Sequence, residues 1–208
     1  MKNRSFISIF AILFAVTFTA SSCDDMLTPE LKRYSENYAQ DSVYSAFGIL
    51  KSLQNVGSRS VLLDAARSDL STTGIYTSDS IKSIADFENP EDGDNKLLNA
   101  ADYYHIINSC NFYMARVDTL LEKNGVPEMK REYAQIQAIR AWTYLQLVRF
   151  YGSVPFITEP VATTEQATYL EKNAPRVNKT NLADMLLEAG LYRAYELQKQ
   201  YGMPNYGE

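Results

Sequence analysis

His105 and Cys110 are the side chains best suited to chemistry here: imidazole carries protons near neutral pH, and a thiolate is a strong nucleophile. His105 is the only histidine and Cys110 one of two cysteines; both lie in the stretch AADYYHIINSCNFYMARVD, whose apolar spacing is helical. Covalent catalysis needs a base, a nucleophile and a group that stabilises developing charge in one cleft. The sequence holds no Gly-x-Ser-x-Gly elbow, Walker loop, Rossmann glycine fingerprint or His-Glu-x-x-His pair. His105 therefore reads as a packed or hydrogen-bonded helix side chain, and Cys110 as a small buried hydrophobe. Carboxylates are plentiful, but none is set apart by an apolar stretch that would raise its pKa for glycosidase-type work. The expectation is a protein that is not an enzyme and uses no cofactor.

The acidic cluster Asp86, Glu88, Glu91, Asp92 and Asp94 invites a calcium reading. Placing Gly93 at the sixth position of an EF-hand loop puts Pro90 third and Asn99 twelfth, where a bidentate carboxylate is required. The cluster reads as a solvated loop. Two cysteines are too few for a zinc site, so no metal is expected.

Cys23 has a different setting. Lys2 and Arg4 precede an apolar run of 15 residues from Phe6 to Ala20. A bilayer-spanning helix needs about 20 apolar residues, so the run fits the core of a secretory signal. Ala20, Ser21 and Ser22 then lead into Cys23, and small residues before a cysteine resemble a bacterial lipobox, in which the thiol is acylated and becomes the first mature residue. Lipoboxes often carry Leu where this chain has Ala20. The alternative is an ordinary secreted protein with a chance cysteine. Asp24 and Asp25 resemble signals that send some Gram-negative lipoproteins to the cell surface. The domain expectation is a signal peptide at 1–22, a polar tether at 23–40 and one folded domain at 41–208.

Removing residues 1–22 takes Lys2 and Arg4 away and moves the formal charge from −5 to −7. The remaining basic residues are scattered, which argues against nucleic acid. Fifteen tyrosines against one tryptophan suit both half-buried helix packing and sugar-stacking surfaces, and composition does not choose between them.

The elements that would position these residues are helical. A helix is expected from Asp41 or Ser42 to Val56, with Val43, Phe47, Leu50 and Leu53 on its inner face and Gly57 as its stop; a shorter one follows over Val61–Arg67. Residues 68–95 lack a period and read as a long loop. Helices over Leu97–Lys123 and Glu128–Tyr151, joined by a tight turn at Asn124-Gly125, must form an antiparallel αα-hairpin. Small Ala138 and Ala141 allow close approach, with Trp142 on the flank. Gly152 breaks the second helix, GSVPFITEPV is extended, a short helix is expected over 164–171, and a last one runs from caps at Asn178–Asn181 to Tyr201. The fold class expected is all-α, paired helices of tetratricopeptide-like character with long loops, although no 34-residue repeat is visible.

These helices resemble the N-terminal half of the SusD/RagB family of nutrient-binding outer-membrane lipoproteins. The residues that carry the likeness are Tyr104, Ile107 and Asn111 on one helix, Arg140, Ala141 and Tyr144 on the next, and the ending Tyr151-Gly152-x-Val154-Pro155. The resemblance spans nearly all of residues 23–200. It implies a SusD-like helical fold anchored through Cys23 to the outer membrane, facing the cell surface. It also implies capture of nutrients such as oligosaccharides for a TonB-dependent, SusC-like transporter. Family members are much longer, and their C-terminal half supplies much of the aromatic ligand platform, so the chain reads as truncated at its C-terminus, as a fragment or a short member. The loop from Arg67 to Asp79, with Asp69 and Tyr76, is the expected ligand-facing element. The alternative is a helical-repeat interaction scaffold, or a fragment without its own ligand site.

Overall fold

Ala46, Ile49, Val56, Ser60 and Leu63 recur at helical spacing and are all buried, which makes one continuous stripe of the first helix. In the computed structural model, which describes residues 38–69, 71–87, 95–117, 119–120, 125 and 127–204, that helix is α1 (Tyr38–Ala66). It begins before the expected cap and runs straight through Gly57, so the expected stop and the separate helix over Val61–Arg67 are corrected. A glycine inside a helix costs about 1 kcal/mol, less than burying Val56 and Leu63 on either side returns. The inner face is also shifted: Phe47 is 42% exposed, while Leu50 and Leu53 pack only partly against the core.

The stretch expected to be loop holds α2 (Asp79–Ala85), anchored by fully buried Ile84. Asn95 ties it down, its amide nitrogen donating to Ser80 O (2.8 Å) and Ser83 Oγ (3.2 Å) while its oxygen accepts from Leu97 N (3.0 Å). A 3₁₀ turn, Lys96–Leu98, follows. The next helix, α3 (Ala101–Arg116), is shorter than expected at both ends. Asn99 Oδ1 captures Ala101 N (2.8 Å) at its start, and Val117 turns extended at its end. The link to α4 (Glu128–Tyr151) is therefore longer than a tight turn, and Leu120 is 82% exposed rather than helical.

The α3–α4 pair is the antiparallel hairpin the sequence predicts. Tyr113 Oη donates to Glu132 Oε2 at one end (2.5 Å), Arg140 reaches Asn111 in the middle (2.7 Å), and the Tyr103 and Tyr151 rings meet edge to face at the other. Ile106, Ile107 and Cys110 pack there with Ile136, Ile139, Tyr144 and Leu147, and α1 adds Ala46, Ile49 and Val56. Burying each of the larger apolar side chains contributes roughly 1.5–3 kcal/mol.

Gly152, with φ +76°, ends α4. The chain then forms β1 (Val154–Pro155), which pairs antiparallel with β2 (Arg176–Val177), Val154 opposite Val177. Between them lies α5 (Thr164–Asn173), opened by a Thr163–Gln166 capping box. The expected last helix is broken: α6 (Leu182–Leu186) passes through a wide turn over Leu187–Leu191 into α7 (Tyr192–Tyr201). Gly190 makes the break with φ +107°. The described residues are thus mostly helical, with the one short ladder as the only pairing of strands among them.

Candidate functional site

The expected ligand residues are not drawn together. Cys23 lies outside the described residues. Arg67 is half-buried just past α1, its guanidinium 6.0 Å above the Phe87 ring and its Nε without a hydrogen-bond partner among the described residues. Asp69 is exposed in a turn. Tyr76 is 96% exposed on a turn closed by Thr77 N donating to Gly74 O (3.1 Å) and Gly74 N to Thr77 Oγ1 (2.8 Å). Asp79 opens α2 and stands 3.6 Å from Lys82 Nζ. Of the four, Arg67 rests against the chain and the others face solvent; no hydrogen bond or ion pair joins any two of them.

Polar side chains of α3 and α4 do converge, and on one task. Extended chain after Gly152 has backbone groups that need partners once buried. Two of its residues are in a ladder and Phe156 N donates to Pro175 O (2.7 Å); side chains of the hairpin supply further partners. Tyr104, Asn108 and Asn111 lie at i, i+4 and i+7 on one face of α3. Tyr104 Oη donates to Pro155 O (2.9 Å), and Asn111 Nδ2 donates to both Ile157 O and Glu159 O (3.1 Å each). Asn108 grips Val161 from both sides, accepting from its N (2.8 Å) and donating to its O (2.9 Å). Tyr144 Oη does the same to Ile157, at 2.7 and 2.9 Å. Burial pushes the Tyr104 phenol up to about 12, opposed in part by Arg176, and raises the Tyr144 phenol further.

Arg140 is the hub. It is buried, and its fork has neutral oxygens as its described partners: Asn111 Oδ1 (2.7 Å) and Thr158 O (3.4 Å) through Nη1, Gln137 Oε1 (2.8 Å) and Ala189 O (2.9 Å) through Nη2. Burial lowers its pKa. The break at Gly190 leaves Ala189 O turned to this cation, and a Cβ at Gly190 would meet Gln137 Nε2 at 2.6 Å. One guanidinium thus joins α3, α4, the extended segment and the α6–α7 kink.

A cavity of about 490 Å³ lies beside this seam, between α3, the 155–161 segment and α5. His105 lines it and is exposed, so the expected packed histidine is corrected: the buried face of α3 runs through Tyr103, Ile106, Ile107 and Cys110 and leaves position 105 outside. Glu171 on α5 lines it too. Sequence reasoning missed Asn108, His105 and Glu171 as a group; the only legible signal was the i, i+4 spacing of Tyr104 and Asn108. Cys110 is the buried free thiol expected, and burial pushes it up to about 12, so it is no nucleophile near neutral pH. Comparisons with protein-family models, with characterised proteins and with solved structures return no match to this chain.

Proposed function

We propose that this chain is a non-enzymatic, lipid-anchored nutrient-binding protein of the outer cell surface, working with a TonB-dependent, SusC-like transporter and carrying oligosaccharides or related nutrients to it. The observation that carries the reading is the convergence of Tyr104, Asn111, Arg140 and Tyr144 on the extended segment that follows Gly152. The sequence resemblance draws on several of these positions, which supports the reading. On this reading the α3–α4 hairpin is one pair of a tetratricopeptide-like stack, and Cys23 bears the acyl groups.

The scaffold alternative, protein binding without a ligand, is favoured by α1. Tyr44 and Phe47 near its start and Val61 and Leu62 near its end are two exposed apolar pairs, separated along that face by exposed Lys51, Gln54, Asn55 and Ser58, and such pairs suit contact with a protein surface. The carrier reading would assign that contact to the transporter; the two readings differ over the nutrient. Fractionating native cells that carry Cys23→Ala tests the anchor. The reading expects the wild-type chain in the outer membrane with an acylated Cys23 peptide, and the variant released from it. An unacylated wild-type chain with the same distribution as the variant would refute it. Retention on immobilised oligosaccharides then separates nutrient carrier from scaffold.

A further inference from the structure

The polar side chains deepest in the cavity are already spent. Tyr104 Oη is committed to Pro155 O, Asn108 to Val161 and Asn111 to Ile157, Glu159 and Arg140. What remains toward the interior is hydrocarbon, Ile107, Ile157 and Val161 among it. A sugar placed there would leave hydroxyl groups without partners, which opposes binding. An apolar body loses nothing, and about 490 Å³ is within the range of small-molecule pockets. At the mouth stand two exposed groups with no partner among the described residues, the His105 imidazole and the Glu171 carboxylate. Glu171 is the one acid or fixed charge in the lining. Arg176, the cation that acts on the Tyr104 hydroxyl, is turned to the Ser153 side chain and carbonyl.

We propose that this cavity binds a small amphiphile with an apolar body and an amine head, the body against Ile107, Ile157 and Val161 and the ammonium at Glu171, with His105 as a hydrogen-bond acceptor beside it. The site is separate from the loop expected to meet sugars and stands whether or not the chain carries nutrients. Carboxylate-headed amphiphiles of equal length are disfavoured by Glu171.

The test is photoaffinity labelling of the full chain in detergent with a diazirine-bearing decylamine, read by peptide mass spectrometry. Label is expected on peptides covering residues 100–108 and 161–171. Decylamine should compete for it at about threefold or more lower concentration than decanoate, a difference of the size exposed charges give, and Glu171→Gln should remove that preference. Ala167→Trp fills the mouth from an exposed helix position and should cut the labelling by most of its extent while the far-UV melting curve stays in place. Ala101→Trp does the same from α3, should the first variant melt early. Label spread over the chain without preference for these peptides, label indifferent to both tryptophans, or displacement by maltoheptaose would each overturn the proposal.

Discussion

Replacing Arg140 with methionine removes a buried cation at nearly constant apolar volume and asks what its fork is worth. Three acceptors lose a donor at 2.7, 2.8 and 2.9 Å; the fourth, Thr158 O at 3.4 Å, is too long to count fully. Ala189 O keeps a bond from Gln137 Nε2 at 3.2 Å, so two oxygens, Asn111 Oδ1 and Gln137 Oε1, lose the donor that holds them. A buried acceptor stripped of its partner costs about 1–3 kcal/mol, and relief from desolvating a cation returns part of that. The net expectation is a loss of about 3 kcal/mol, a large share of the 5–15 kcal/mol typical of a domain. Arg140→Lys keeps the charge without the fork and should recover less than half. The assay is urea unfolding followed by far-UV circular dichroism, comparing midpoints at unchanged slope. A loss under about 1 kcal/mol for methionine, or full recovery by lysine, would refute the hub.

Other consequences follow from the same geometry. Gly190→Ala puts a side chain at φ +107° and 2.6 Å from Gln137 Nε2 and should cost about 1–3 kcal/mol, seen as a lower melting temperature. Tyr104 and Tyr151 titrate near 10 when unfolded and are pushed to about 12 by burial in the native state. Their contribution is therefore full below pH 10 and lost as pH rises toward 12; urea midpoints at pH 8, 10 and 11 should fall in that order, and less steeply for Tyr104→Phe. Cys110, buried and pushed up to about 12, should resist a thiol reagent at pH 8 in the native protein and react at once in denaturant; prompt native labelling would contradict its burial.

The hairpin was legible because its apolar residues repeat at three and four over two long windows, and Gly152 and Pro155 punctuate it. Gly57 was misread because a glycine stop is a local signal, while the burial that overrides it comes from α1 packing along its whole length. The seam was not legible: Tyr104 and Asn111 find their partners 51 and 46 residues away, beyond any periodicity. Nor was the kink, since Gly190 breaks a run whose apolar spacing continues on both sides, and Arg140 together with Gln137 holds Ala189 O where it turns. Of the candidate site, Arg67, Asp69, Tyr76 and Asp79 were chosen as one ligand-facing loop; Asp69 and Tyr76 are exposed there, Arg67 is half-buried and Asp79 opens α2, while the cavity needs three elements in place before its lining can be named.

The most direct test of the account is affinity isolation of the tagged chain from detergent-solubilised outer membrane of its native cells, followed by identification of what comes with it. The account predicts an acylated chain accompanied by a TonB-dependent β-barrel, with the pair weakened by charge placed at the exposed Val61–Leu62 pair of α1, as in Val61→Glu. An acylated chain recovered alone at low detergent, or a barrel indifferent to that substitution, would contradict it.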